Sequence, residues 1–216
     1  MKEAQTAGNV IVASRTIKDI PASDLFHAEW EKAEPVHLVQ YWSGEDAPSG
    51  RHAVARIIWS EEALCVRFVC NQDEPPVIND RPETSSKTMG LWERDVCEIF
   101  VAPVYPERYF EFEAAPTGEW IDLQINWKPE ARETDWQYIS GMTAAALVEE
   151  RRVLVAMRVP WEAFGQRPSA GDMWRVNLFR CVGAGQERGY LAWQPTRTTR
   201  PNFHVPYAFG WLRFDR

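Results

Sequence analysis

The stretch DVCEIFVAPVYPERYFEFEAAPTGEWIDLQINW, residues 95–127, contains three runs in which apolar and polar residues alternate. A period of two residues is typical of β-strands that bury one face in a core. The runs are 95–101, 108–114 and 119–127, and segments rich in proline, glycine and charged residues separate them. We therefore predict three consecutive antiparallel strands, which can pair as a meander.

Similar apolar and β-branched runs recur along the rest of the chain. They are 36–42, 53–59, 63–70, 143–150, 152–159, 174–182, 189–193 and 210–214. No long segment shows a sustained helical period, and two short helical pieces are predicted, at 23–33 with Ser23 as its N-cap and at 160–164 before Gly165. The pattern predicts an all-β fold with one or two short helices.

The length of 216 residues suits one large β-domain as easily as two small ones. We predict a single domain over 1–216, with residues 1–10 as a loose tail. The polar, proline-rich segment 71–90 is either a boundary between two domains or a long loop over one end of a sandwich.

The balance of charges argues against two classes of partner. The formal net charge is −7 and the isoelectric point is about 5.2, which disfavours nucleic acid and anionic membranes. No apolar run is long enough to span a bilayer, and the start of the chain has no hydrophobic signal region. We expect a cytoplasmic protein, or an extracytoplasmic one if a signal peptide has been removed.

Four cysteines, Cys65, Cys70, Cys97 and Cys181, each lie in an apolar strand-like run. This placement is typical of buried, reduced thiols. A disulfide between Cys65 and Cys70 is disfavoured because their odd spacing on one strand directs the side chains to opposite faces.

One face of each strand in 95–127 carries polar and aromatic residues. These are Val96, Glu98 and Phe100, then Tyr109, Glu111 and Glu113, then Trp120, Asp122, Gln124 and Asn126. In a meander these faces would form one continuous surface. Such a surface can be simply the solvent side of the sheet. Rings among carboxylates and amides also suit a sugar, because the rings cover its C–H faces and the polar groups bind its hydroxyls.

Six blocks of the sequence resemble the family 9 carbohydrate-binding modules and their stand-alone relatives. They are LWERDVCEIFVAP (91–103), YFEFEAAPTGEWIDL (109–123), VPWEAFG (159–165), GDMWRVNLFRC (171–181), LAWQPT (191–196) and PNFHVPYAFGWLRF (201–214). The resemblance implies a jelly-roll-like β-sandwich without catalytic apparatus. It also implies that a mono- or oligosaccharide is held between two tryptophans.

Site residues follow from the same resemblance. Trp92 corresponds to one aromatic wall, Glu98 to the carboxylate that binds hydroxyls, and Trp193 to the second wall. Further ligand-binding candidates are Gln194, Arg197, Asn202 and His204. Cys97 and Gln194 depart from the family pattern, in which valine and a small hydroxyl residue are usual, and Gln194 bears on the shape of the pocket.

Several of these residues also have a structural interpretation. Trp92 can cap the core, and His204 can bond a backbone carbonyl. Glu98, inside an apolar strand, needs a partner if it is buried. An ion pair with Arg175 or Arg180 on another strand would supply one.

An enzyme is the alternative function. A glycoside hydrolase or lyase could use Glu98 with Glu111 or Glu113, because neighbouring strands can supply the required carboxyl spacing. We predict no cofactor and no metal at the site. A structural calcium ion remains an alternative, because the loop carboxylates Asp73, Glu74 and Asp80 are suitable oxygen ligands, although their spacing is irregular.

Overall fold

The structure, a computed structural model, describes residues 9–104, 107–128 and 131–216. Its strands are β1 (Val10–Arg15), β2 (Val36–Leu38), β3 (Gln40–Tyr41), β4 (Ala53–Trp59), β5 (Ala63–Asn71), β6 (Val96–Val104), β7 (Arg108–Ala114), β8 (Trp120–Lys128), β9 (Ala131–Asp135), β10 (Thr143–Val148), β11 (Arg152–Pro160), β12 (Met173–Val182), β13 (Gly189–Ala192) and β14 (Gly210–Phe214). The single α-helix among these residues is α1 (Glu29–Lys32), and short 3₁₀ turns include Leu91–Glu93 and Trp161–Phe164.

The strands form a β-sandwich of two sheets. The front sheet has the order β14-β12-β6-β7-β8-β9, with β13 and β3 continuing beside β12. The back sheet has the order β10-β11-β5-β4, with β2 also on β4. Strand β1 joins the sheets, because Val10–Ala13 pairs with β14 and Ser14–Arg15 pairs with β4, both in parallel. All other described strand pairs are antiparallel, so the predicted all-β antiparallel sandwich is confirmed.

Two strands and one helix differ from the sequence-based prediction. Strand β1 was not predicted, although VIVASR has an apolar start, and β9 was not predicted because its ARETD sequence lacks apolar alternation. The helix predicted over 23–33 is confined to Glu29–Lys32, with Ala28 and not Ser23 at its N-cap. Most of the predicted tail, residues 1–8, lies outside the described residues, and β1 already begins at Val10.

Apolar side chains fill three layers. The main core between the sheets contains residues such as Ile57, Phe68, Ile99, Phe112 and Leu178. A second cluster lies on the outer face of the front sheet and includes Phe100, Tyr109, Phe179, Phe203 and Phe209. A third cluster, around Trp30, Ile58 and Cys65, covers the back sheet. The central strands of the front sheet, such as β6 and β7, therefore bury both of their faces.

The register of the meander corrects one part of the sequence-based prediction. Strands β6, β7 and β8 pair consecutively, as predicted. However, Glu111 stands opposite Leu123, and Phe112 stands opposite Asp122. Because directly paired residues share a face of a sheet, Trp120, Asp122, Gln124 and Asn126 lie on the opposite face from Glu111. The continuous polar surface predicted across all three strands was wrong.

The segment between β5 and β6 is a long loop that packs on the sandwich. Its Lys87 forms an ion pair of 2.6 Å with the buried carboxylate of Asp122 and donates a hydrogen bond to the Asp122 carbonyl. The indole of Trp120 donates to the carbonyl of Thr84, which holds the loop at a second point. Within the described residues, no helix is long and apolar enough to cross a membrane.

Candidate functional site

A cavity of about 510 Å³ lies on the outer face of the front sheet. Its floor includes Glu98 and Phe100 of β6, Glu111 of β7 and Leu123 of β8. Other lining residues are Trp92, Glu93, Arg132, Thr134, Trp136, Cys181, Arg188, Tyr190, Pro201, Asn202, Phe203 and His204. The meander thus supplies most of the floor, and strands β9, β12 and β13 together with connecting segments supply the rest of the lining.

Trp92 is held at the cavity by the turn that contains it. Its neighbour Leu91 is fully buried, whereas the Trp92 side chain is 36% exposed. Arg188 donates hydrogen bonds of 2.7 Å to the carbonyls of Trp92 and Arg94, and its guanidinium lies 5.4 Å from the ring centroid of Tyr190. Trp92 therefore lines the cavity and does not cap the hydrophobic interior.

The aromatic neighbour of Trp92 in the cavity wall is Trp136, which follows β9. Trp136 is 46% exposed, and its ring centroid lies 6.1 Å from that of Trp92, with an angle of 44° between the planes. A sugar between two rings needs them about 7–8 Å apart, because carbon atoms in contact are roughly 3.5–4.0 Å apart. In this arrangement the two indoles therefore form one aromatic rim of the cavity.

Three glutamates, Glu98, Glu111 and Glu113, cluster at and below the cavity floor. All three are buried, and one carboxylate oxygen of each lies within 4.8 Å of the others. Burial raises the pKa of each carboxyl, and negative neighbours raise the pKa of Glu98 and Glu113 further. The raised pKa values favour neutral carboxyl groups, which can donate as well as accept hydrogen bonds.

Glu98 is not neutralised by an arginine from strand β12. It stands opposite Phe179, so the side chain of Arg180 points to the other face of the sheet. The carboxyl instead accepts a weak hydrogen bond from the thiol of Cys181, at 3.4 Å. The alternative interpretation of Glu98, an ion pair with Arg180, therefore does not hold. The guanidinium of Arg175, the other arginine considered, lies 4.5 Å from the centre of the Trp211 ring.

His204 lines the cavity as a neutral imidazole. Burial, assisted by the positive charge of Arg132, lowers the pKa of His204 to about 3. Its Nδ1 lies 2.8 Å from the hydroxyl of Tyr109, whose pKa is raised by burial and by Glu111. If the phenol donates to Nδ1, the Nε2–H remains as a donor for a ligand.

Asn202 joins His204 in the cavity lining. Its Oδ1 accepts a hydrogen bond of 3.0 Å from the backbone N–H of His204. This bond turns the segment 201–204 so that both side chains line the cavity, and it leaves the amide nitrogen of Asn202 as a donor. The structure thus brings Trp92, Glu98, Asn202 and His204 together.

The other predicted ligand residues lie outside the cavity lining. The Trp193 ring packs on the backbone at Gly210, where an added Cβ would lie 2.4 Å from two ring carbons. Both backbone groups of Gln194 bond the side-chain amide of Asn177. The guanidinium of Arg197 lies against Gly44. Sugar contacts of Trp193, Gln194 and Arg197 stay predictions that their positions in the fold do not favour.

Several lining residues were not among the predicted ligand residues. Trp136 and Arg132 belong to β9 and its continuation, a charged strand without an alternating pattern. Arg188 and Tyr190 come from the hairpin of β12 and β13. No sequence motif marks these residues, because only the pairing of β9 with β8 and of β13 with β12 brings them to the cavity.

One group of side chains is suited to hold a metal ion. Among the described residues, Glu98, Glu111 and Glu113 are the set of three whose ligand atoms are close enough together. Two of the loop carboxylates considered for calcium form ion pairs with arginines. Asp73 pairs with Arg151, and Glu74 pairs with Arg51.

Burial of Glu113 leads to a prediction about pH and stability. No N–H or hydroxyl of the described residues reaches either of its oxygens, and its polar contact is with Glu111. Because its pKa in the folded protein is raised, the carboxyl stabilises the fold below the ordinary pKa of about 4.3. That stability is lost as the pH rises through the raised value.

We therefore expect Glu113→Gln to raise the free energy of unfolding at pH 8 by about 1–3 kcal/mol, with a smaller gain at pH 5. Urea denaturation at the two pH values measures the difference. The exposed residue Glu34 supplies the control Glu34→Gln, which should change stability little at either pH. Equal gains for Glu113→Gln at both pH values would contradict the assignment of a buried, titrating carboxyl.

Comparisons with known proteins agree with this fold. Residues 24–215 match the family called "Carbohydrate family 9 binding domain-like", and the chain belongs to this family. A candidate carbohydrate-binding protein from Bacteroides uniformis has a TM-score of 0.76 at 20% identity, over 96% of this chain and 99% of that one. A search of curated protein sequences found no match.

A second similar structure is a family 9 carbohydrate-binding module from Caldicellulosiruptor kristjanssonii. In complex with cellotriose it has a TM-score of 0.66 at 15% identity, over 95% of this chain and 93% of that one. In complex with glucose it has the same TM-score and identity, over 96% of both chains. At this low identity the similarity supports the β-sandwich fold.

Proposed function

We propose that the protein binds a saccharide in this cavity without transforming it. The observation that carries the proposal is the combination of two half-exposed tryptophans with buried carboxyl groups around one cavity of about 510 Å³. Membership of the carbohydrate-binding family and the sugar complexes of the Caldicellulosiruptor module support it. An apolar rim with a few convergent polar groups is the usual composition of a small-molecule site.

The polar groups of the cavity suit the hydroxyls of a sugar. Glu98 and Glu111 can accept hydrogen bonds, or donate them when protonated, and Asn202 offers an amide N–H. The rings of Trp92 and Trp136 offer apolar surface against the C–H face of a pyranose. A sugar would then lie with one face on the aromatic rim and its hydroxyls toward the carboxyl floor.

The placement of the carboxyls favours binding over hydrolysis. Glycosidases use two carboxyl groups that flank the scissile bond. Glu98 and Glu111 instead rise from neighbouring strands on the same face of the sheet, so both belong to the floor. A screen with nitrophenyl glycosides tests the enzyme alternative, and hydrolysis that disappears in Glu98→Gln would contradict our proposal.

Isothermal titration with glucose, cellobiose, cellotriose, xylose and galactose tests the proposal directly. We expect saturable binding of at least one of these sugars, together with a change in tryptophan fluorescence, because two indoles line the cavity. No heat and no fluorescence change with any sugar at millimolar concentration would contradict the proposal. A sugar that binds with the same affinity when the cavity residues are changed would contradict the assigned site.

Replacing Trp136 by alanine should weaken sugar binding about 3- to 10-fold. The indole stands at the rim and contributes stacking of roughly 0.7–1.4 kcal/mol. The matched control is Trp211→Ala, because Trp211 lies on β14 beneath Arg175 and does not line the cavity. An unchanged affinity in Trp136→Ala would remove this residue from the proposed rim.

A further inference from the structure

Two cysteines face each other across the interior of the sandwich. Cys70 belongs to β5 of the back sheet, and Cys97 belongs to β6 of the front sheet. Their sulfur atoms lie 3.5 Å apart, and both side chains are buried in the main core. A disulfide requires sulfurs about 2.05 Å apart, so a shift of roughly 1.5 Å would bring these two within bonding distance.

We propose that Cys70 and Cys97 are a disulfide-forming pair that crosslinks the two sheets of the sandwich when a small-molecule disulfide such as oxidised glutathione is present. This inference does not depend on the saccharide site. It assigns a covalent modification to a pair of residues that the binding function does not use.

The other two cysteines are separated from this pair by the fold. Cys65 lies in the third apolar cluster on the outer face of the back sheet. Cys181 lies in the second cluster, with its thiol directed to Glu98. Because alternate residues of a strand face opposite ways, neither shares the interior face occupied by Cys70 and Cys97.

The surroundings of the pair favour a thiolate. Arg180 stands opposite Cys97 in the register, and it lines a small cavity together with Cys70 and Cys97. The S–H of Cys97 and the charge of Arg180 lower the pKa of Cys70, whereas burial raises the pKa of Cys97. Cys70 is therefore the better nucleophile of the two, because the thiolate is the reactive form.

The reaction balances as two thiol–disulfide exchanges. The Cys70 thiolate attacks one sulfur of oxidised glutathione, which forms a mixed disulfide and releases one glutathione thiolate. Cys97 then attacks the sulfur of Cys70 in that mixed disulfide, forms the Cys70–Cys97 bond and releases the second glutathione. The two thiol protons pass to the two glutathione molecules. Glutathione is reduced by the two electrons that the cysteine pair loses.

Access to the pair sets the conditions of the reaction. The cavity beside the two sulfurs has a volume of about 10 Å³, which is near the minimum that can hold one water molecule. Oxidised glutathione is much larger, so the exchange takes place while the chain folds or when the sheets separate transiently. The experiment therefore refolds the whole protein from denaturant, in oxidised glutathione or in dithiothreitol.

The crosslink would close a loop between residues 27 positions apart, and this loop contains Trp92 and the long segment before it. In the chain-entropy description such a bond stabilises the folded state by restricting the unfolded chain. We expect the oxidised protein to melt about 5–15 °C above the reduced protein.

Thiol counting and peptide mapping test the proposal. After oxidative refolding, the four free thiols should fall to two by maleimide labelling in denaturant, and proteolysis should yield one peptide that joins Cys70 to Cys97. Cys97→Ala should lose both the linked peptide and the melting shift, whereas Cys65→Ala should keep both. Four free thiols after oxidative refolding, or a linked peptide containing Cys65 or Cys181, would overturn the proposal. The mass measurement on the unmodified sequence holds even if a variant fails to fold.

Discussion

Replacing Arg180 by alanine is expected to lower the free energy of unfolding by about 3–5 kcal/mol. The side chain is 3% exposed and is the centre of a buried hydrogen-bond network. It donates to the carbonyls of Arg51 and Asn71 at 2.6 and 2.8 Å and to the side-chain oxygen of Gln72 at 2.6 Å. Without the guanidinium, the buried side-chain oxygen of Gln72 and the two partly buried carbonyls lose their donor. A buried acceptor left without a donor costs about 1–3 kcal/mol.

Urea denaturation measures this loss as a lower midpoint at an unchanged slope. Arg213→Ala supplies the control, because Arg213 is exposed on β14, and its effect should stay within about 0.5 kcal/mol. A loss below about 1 kcal/mol for Arg180→Ala would mean that water or a rearranged backbone replaces the guanidinium.

Replacing Trp92 by alanine is expected to weaken saccharide binding at least thirtyfold, which corresponds to about 2 kcal/mol. The ring of Trp92 lies beside that of Trp136. Its backbone carbonyl accepts a hydrogen bond from Arg188, which lies in the hairpin between β12 and β13. Its indole is therefore held in place before the ligand arrives, so little conformational entropy is lost on binding. The effect should exceed that of Trp136→Ala, because Trp92 is the more buried of the two rings.

Titration calorimetry with the best sugar from the panel measures the change in Kd, and melting of each variant shows that it remains folded. Trp211→Ala should keep its Kd within about twofold, because its ring lies outside the cavity lining. An unchanged Kd in Trp92→Ala would place the saccharide elsewhere on the molecule. A loss shared equally by Trp211→Ala would point to general destabilisation.

Most strands of the fold could be predicted because they are runs of apolar and β-branched residues that turn residues separate. The runs 53–59, 108–114 and 210–214 coincide with β4, β7 and β14. Strand β9 escaped prediction because it is mostly exposed and carries charges on both faces. Where neither face is buried, the sequence has no reason to alternate, and only pairing with β8 makes the segment a strand.

Four of the seven residues that local sequence and the family resemblance indicated as ligand-binding line the cavity. Trp92 and Glu98 share one short segment, and Asn202 and His204 share another, so each pair reaches the cavity together. Trp193 was expected as the second aromatic wall, whereas the ring beside Trp92 is Trp136. Predictions from local sequence place a residue on a strand, but they do not determine which distant ring will lie beside it.

The sequence by itself determined that this chain alternates into buried strands, that its cysteines are buried and that Trp92 and Glu98 lie close together. The register of the strands and their order in the sheet determined which side chains share the face of the cavity. Glu111 pairs directly with Phe100 of β6 and with Leu123 of β8, and Glu113 pairs with Glu98. Glu98, Glu111 and Glu113 therefore lie on one face of the sheet, and Asp122 lies on the other. A shift of one residue would have reversed every side chain of β8. That choice depends on contacts between distant strands, which no local pattern specifies.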